Sequence, residues 1–153
     1  MLCLAREELR ARCTWETLRY NTTGVCMNVW FGTGENAHLS NLAPRPFADL
    51  EGRRYVSVEH AYQTWKSGRF EADAYARGKR GGKHPGRKGT RTSGGWNIKL
   101  MERLIRRSFE ANPVAAEALR RTGDEPLTHT QDRGIWRTEF PRILMMVRAE
   151  LRA

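Results

Sequence analysis

Cysteine is scarce and confined: the three present, Cys3, Cys13 and Cys26, all fall in the first 26 residues and none follows. An odd count with no CxxC and no paired histidines excludes a disulfide framework and a zinc site. Long apolar runs are also missing. No stretch approaches the ~20 residues needed to cross a bilayer, and Met1 to Gly24 is too charged for a secretory leader. The expectation is a soluble, cytoplasmic protein without membrane contact. Residues 1–26 differ in character from the rest, and Met27 opens a more ordinary domain start. The chain therefore divides into an N-terminal extension, 1–26, and one domain over 27–153, enough for a single core burying roughly 68–70% of its unfolded surface.

Acid is absent where base is densest. From Arg77 to Thr92 the chain reads RGKRGGKHPGRKGTRT, with seven lysines and arginines, no acid, five glycines and one proline. Such a stretch has too little apolar surface for a core element and reads as a solvated loop. It either solubilises the chain or captures phosphate; the net charge of +10 favours a polyanionic or phosphate-bearing partner. It is no P-loop: Arg87 and Lys88 stand where lysine and a hydroxyl residue are required, and no strand precedes them.

The remaining pattern is mostly helical with a few short strands, an α+β domain without internal repeats. Asn28–Phe31 reads as a short strand, followed by a Gly/Asn/Ser-rich loop, and Arg53–Val58 as a strand after a turn at Glu51-Gly52. Ser57 can cap a helix from Val58 to Gly68, whose apolar stripe is Val58, Ala61, Tyr62 and Trp65. A second helix covers Trp96–Ala111, burying Ile98, Met101, Leu104, Ile105 and Phe109 before Asn112-Pro113 stops it. A short helix, Val114–Arg121, ends at Gly123. The last begins near Pro141, a residue at home in a first turn.

The junction YVSVEHAYQTWK, Tyr55–Lys66, carries the chemistry. On the helix from Val58, positions 59, 63 and 66 share one face, because i, i+4 and i+7 align at 3.6 residues per turn. Glu59, Gln63 and Lys66 therefore point together. A glutamate in the first turn and a lysine in the last also offset the helix dipole, which is the simplest account of both. A carboxylate, a histidine and a lysine at such a junction are equally a set that can polarise water or attack a sugar carbon.

The order of motifs adds a resemblance. LSNLAPRPF, then Y-x-S-V-E-H-A-Y-Q-x-x-K, GR, GGW-x-x-K-L-M, F-E-A-N-P, L-x-x-T-G-D, a tryptophan near an aspartate, and ILMMVRAEL resemble the NADAR family from Asn28 to Leu151. SVEHAYQxxK is the most specific part. The resemblance implies a compact, mostly helical α+β N-glycosidase that works on NAD-related and ADP-ribose chemistry. Its implied substrates are ADP-ribose on a modified guanine base, in DNA or RNA, or phosphorylated ribosylaminopyrimidine intermediates of riboflavin synthesis. A non-enzymatic module binding ADP-ribose or nucleic acid is the other reading.

Residue by residue, the family's glutamate falls on Glu59, its helix lysine on Lys66, and its tryptophan after the basic loop on Trp96; Gly-Arg matches Gly86 and Arg87, and SN matches Ser40 and Asn41. The resemblance makes Glu59, Lys66 and Asp132 the catalytic candidates. It arranges Ser40, Asn41, His60, Gln63, Arg87, Trp96 and Trp136 around the substrate, with no metal and no cofactor. The C-terminal part departs: relatives read L-x-E, an aspartate three residues before Trp-Gly, then a Gly-rich insert. Here Thr128 or His129 replaces the glutamate, Asp132 lies four residues before Trp136, Arg137 replaces the glycine, and the insert is missing.

These residue types suit the implied reaction. Breaking a ribosyl C–N bond builds positive charge on the anomeric carbon, which a fixed carboxylate such as Glu59 stabilises, or serves by deprotonating water. Lys66 is either a nucleophilic amine on an opened ribose or the ion-pair partner of Glu59. Trp96 and Trp136 can stack on a flat base, though Trp136 fits a core as well. Arg87 would hold phosphate, and His60 and His129 read as hydrogen-bonding supports.

Overall fold

A computed structural model of the chain describes residues 27–29, 34, 36–67 and 95–153. The N-terminal extension and the basic stretch with Gly86 and Arg87 lie outside the described residues, as do Phe31 and Gly68.

Strand β1 (Met27–Asn28) leads to a 3-10 turn at Ala37–Leu39, then to strands β2 (Phe47–Ala48) and β3 (Arg54–Tyr55). β2 and β3 pair antiparallel, Phe47 opposite Tyr55. Asp49 builds their turn: its Oδ1 accepts from the amides of Glu51 and Arg53 at 2.9 Å each, and its Oδ2 from the Tyr55 hydroxyl at 2.8 Å. Gly52 takes the left-handed φ of 81° that the turn needs and that side chains resist. The pair is shorter than the 53–58 expectation because the chain stops being a strand in order to cap a helix. Ser57 Oγ accepts from the His60 amide at 3.2 Å, satisfying a donor the helix itself leaves open.

Helix α1 (Val58–Ser67) follows, then α2 (Trp96–Glu110) and α3 (Pro113–Arg121). On α2 the expected stripe is buried at Met101, Leu104, Ile105 and Phe109, with Ile98 packed against its edge. Each such side chain contributes about 1.5–3 kcal/mol of transfer free energy. α3 starts one residue earlier than expected, with Pro113 at the first helical position, where its missing amide costs nothing. Gly123, at φ 61°, follows its end.

Strand β4 (Leu127–Thr128), which the sequence did not signal, runs parallel to β1 with Met27 opposite Leu127. The amides of Met27 and Val29 donate to the carbonyls of Pro126 and Thr128, both at 2.8 Å. Helix α4 (Trp136–Glu150) begins five residues before Pro141, which lies inside it. An early turn closes without help from the proline: Asp132 Oδ1 accepts from the Gly134 amide at 2.9 Å, and the amides of Arg137 and Glu139 reach Gly134 and Ile135, both at 3.0 Å. Pro141 then removes only its own bond to the preceding turn.

α2 is central, with α1, α3 and α4 all packed on it. Tyr55, Phe109, Phe140, Leu39 and Ile143 are among the fully buried side chains. The core also takes in a cation. Arg45, 3% exposed, donates from Nε to Ser108 Oγ at 3.0 Å and from Nη1 to the His38 carbonyl at 2.7 Å, with its guanidinium 4.3 Å from the Phe109 ring centre. This anchors the 38–45 loop to α2.

Candidate functional site

Glu59 sits in the first turn of α1, half-buried. Its backbone amide donates to the Asn41 carbonyl at 2.9 Å, so the 38–45 loop closes over the start of the helix. Its carboxylate Oε1 accepts from Gln63 Nε2 at 2.7 Å, the i, i+4 contact that the helical spacing allows. Gln63 is buried, and because its amide nitrogen faces Glu59, its oxygen is left without a hydrogen-bond partner. Asn41 is in the same condition: it is 2% exposed, its Nδ2 lies 3.4 Å from Met101 Sδ, and its Oδ1 has no partner. Two buried acceptors therefore belong to residues that touch Glu59, Gln63 through its side chain and Asn41 through its backbone carbonyl. A ligand supplying hydroxyl or amine protons would relieve a desolvation cost of about 1–3 kcal/mol for each.

Tyr62, one step along the same helix, joins this group through its hydroxyl. The phenol is pushed to higher pKa by burial and then by the Glu59 charge, against a hydrogen bond to the Asn97 side chain that lowers it. Asn97 is in the first turn of α2, so three segments converge: the 38–45 loop, α1 and the start of α2. A fourth arrives with α4, whose first residue, Trp136, packs edge-on against Tyr62, centroids 5.6 Å apart and planes at 85°. Lys66 Nζ lies 5.9 Å from the centre of the same Tyr62 ring. Among the described residues no ion pair joins Lys66 to Glu59.

The other expected residues fall as follows. Ser40 is fully buried and closes the 3-10 turn, its amide donating to the Ala37 carbonyl at 3.1 Å. His60, 1% exposed, accepts from the Val56 amide at Nδ1 (3.3 Å) and meets Tyr55 edge-on, so it supports the strand-to-helix junction from the core side. Burial holds its imidazole below the ordinary histidine value. His129 does similar work elsewhere, its Nδ1 2.6 Å from the Val29 carbonyl beside β1 and β4. Asp132 shapes the turn before α4. Trp96 is 40% exposed and lines a groove of about 290 Å³ with Trp65, Leu50 and Lys99. None of Glu59, Tyr62, Gln63, Lys66 and Trp136 is among the walls of that groove. Arg87 lies outside the described residues.

Two members of the group escaped the sequence reading. Tyr62 counted only as part of an apolar stripe, and Asn97 as an unremarked helix residue. Nothing local signals that their polar tips meet. Among the described residues no three His, Cys, Asp or Glu side chains come together as a metal site requires, and no helix is long and apolar enough to cross a membrane.

No family model matches the chain, and no curated protein does. Among solved structures, the NMR structure of the E. coli protein YbiA is similar, with a TM-score of 0.58 and 19% identity over 82% of this chain and 85% of that one. At this identity the likeness is one of fold, and it agrees with the mostly helical α+β architecture that the sequence led us to expect.

Proposed function

We propose that the chain is a hydrolase of ribosyl C–N bonds and that its substrate is ADP-ribose carried on a guanine base in nucleic acid. The observation that supports this best is the placement of Glu59. Its carboxylate is half-buried, held on one oxygen by Gln63 at 2.7 Å and fixed through its amide by the Asn41 carbonyl at 2.9 Å. A carboxylate held this way needs little reorganisation as cationic charge grows on the anomeric carbon, the situation in which preorganised charge stabilises a transition state most.

In the proposed reaction the C–N bond breaks with its electron pair going to the base nitrogen. Water adds its oxygen to the anomeric carbon while Glu59 accepts a water proton, and the base nitrogen gains a proton in turn. The unpartnered oxygens of Asn41 and Gln63 are acceptors for ribose hydroxyls, and Trp136 with Tyr62 offers an aromatic wall for a flat base. Lys66 forms no ion pair with Glu59 among the described residues, which favours the amine role in a second route that replaces the direct attack of water. The amine adds to C1 of the ring-opened ribosylamine, and the base leaves with the electron pair of the C–N bond and a proton. Water then hydrolyses the resulting Schiff base to the ribose aldehyde and the free lysine amine. Outside this set, Arg87 would hold the diphosphate and Asp132 would serve near Trp136.

The test offers DNA bearing ADP-ribosylated guanine and, separately, a ribosylaminopyrimidine phosphate. Release of ADP-ribose from the DNA is expected, with Glu59→Gln binding that DNA but not turning it over. Product from the pyrimidine alone overturns the substrate half of the proposal. Turnover of neither substrate, or full activity in Glu59→Gln, overturns the hydrolase reading.

A further inference from the structure

The groove beside Trp96 has features that hydrolysis at Glu59 does not use. Trp65 was expected in the α1 core stripe, yet it is 38% exposed and faces this groove with Trp96, which is 40% exposed; Leu50 on the rim is 83% exposed. Two half-bare indoles on one wall keep apolar area in water that a core would have hidden. Along the same wall α2 presents Lys99, Arg103 and Arg107. Their four-residue spacing puts them on one face of the helix, a row about 12 Å long at 1.5 Å per residue.

Two of the three charges in that row have no ion-pair partner among the described residues. Arg107 is engaged, 3.3 Å from the Ala48 carbonyl and 4.0 Å from Glu110. Lys99 and Arg103 form no ion pair with any described carboxylate. The two acids of the groove are occupied: Glu51 pairs with Arg53 at 3.2 Å, and Asp49 accepts from two turn amides and the Tyr55 hydroxyl. An indole platform beside a row of three cations, two of them without an ion-pair partner among the described residues, on a chain of net charge +10, complements a ligand with flat apolar rings strung on regularly spaced anions.

We propose that this groove binds a single-stranded stretch of nucleic acid, with bases stacked on Trp65 and Trp96 and backbone phosphates on Lys99 and Arg103. Stacking plus phosphate contact is how strands are held without reading their sequence. A strand fits better than a mononucleotide, because the cation row extends beyond the reach of one phosphate group at the mouth of a ring pocket. The surface is separate from the Glu59 group and binds whether or not Glu59 hydrolyses anything.

The test is fluorescence anisotropy of a short fluorescein-labelled oligothymidylate titrated with the full chain at several salt concentrations. Trp65→Ala should weaken binding roughly 5- to 100-fold, and Trp65→Phe should recover part of the loss, which a mere folding defect would not produce. Arg103→Ala, at an exposed position, should lower the slope of log affinity against log salt by about 0.7. Arg121→Ala, which removes one charge from α3, and Glu59→Gln should leave binding as in the wild type. The proposal is overturned if no oligonucleotide binds, if Trp65→Ala and Arg103→Ala bind normally, or if Arg121→Ala weakens binding as much as Arg103→Ala. It is also overturned if ADP displaces the oligonucleotide at equal concentration, which would make the groove a mononucleotide pocket. A concentration-dependent dimer dissolved by Trp65→Ala, without oligonucleotide binding, would assign the face to a second copy of the chain.

Discussion

Arg45→Ala would test how a buried cation without a carboxylate partner is tolerated. Burial pushes the guanidinium below its ordinary value, to about 10, so desolvation costs about 3 kcal/mol at about 1.36 kcal/mol for each tenfold change in proton affinity. Against this stand two hydrogen bonds from a charged donor, to Ser108 and His38, at about 1.5–3 kcal/mol apiece, and a cation over the Phe109 face at 4.3 Å, worth about 2 kcal/mol when desolvated. The favourable side exceeds the cost, so Arg45→Ala should lose about 2–5 kcal/mol, part of it from the orphaned Ser108 hydroxyl and part from the void left behind. Arg45→Met refills the void and should lose less. The assay is urea unfolding followed by far-UV circular dichroism, comparing midpoints at equal m-value. An Arg45→Ala protein as stable as the wild type would refute the reasoning, because desolvation would then outweigh every contact the guanidinium makes. Because the 38–45 loop also carries Asn41, whose carbonyl holds the Glu59 amide, the same variant should lose activity even under conditions where it stays folded.

Further expectations concern the site and its pH behaviour. Gln63→Leu removes the donor on Glu59 Oε1 and should lower kcat/KM about 10- to 100-fold, the worth of one hydrogen bond to a charged group, while leaving the far-UV spectrum intact; unchanged kcat/KM would mean the contact does not position the carboxylate. Burial depresses the His60 pKa in the folded state, so the unfolded chain takes up that proton first. Stability should be full above about pH 6.5 and decline as pH falls below it. A His60→Gln variant followed by urea midpoint against pH should lose that part of the slope. Activity should persist in EDTA; loss on chelation with recovery on adding a divalent ion would show a metal requirement that the residue pattern does not announce.

Local chemistry was readable where neighbours in sequence are neighbours in space. The strand-to-helix change at Ser57, the meeting of Glu59 with Gln63 one helical turn on, the buried stripe of α2 and the stop at Asn112-Pro113 all follow from periodicity, capping and proline geometry. The start of α4 was missed because the fixed φ of Pro141 suits a first turn equally well, and only the turn built by Asp132 and Gly134 decided between the two positions. Tertiary structure alone could decide the rest. The sequence indicated a strand from Asn28, but its two-residue partner β4 carries no periodic signal, and their parallel register exists only once α1, α2 and α3, which lie between them in the chain, have packed. Cations are almost never fully buried unless paired, so nothing local marks Arg45 as a core residue; its place there depends on Phe109 and Ser108 arriving from α2. Trp65 had the spacing of a core residue, and the packing of α1 on α2 turned it to the rim instead. The hydroxyl of Tyr62 became part of the candidate site when Asn97 and Trp136 were brought to it. Spacing determines which residues share a face of one helix, but what that face meets is settled by elements far away in the chain.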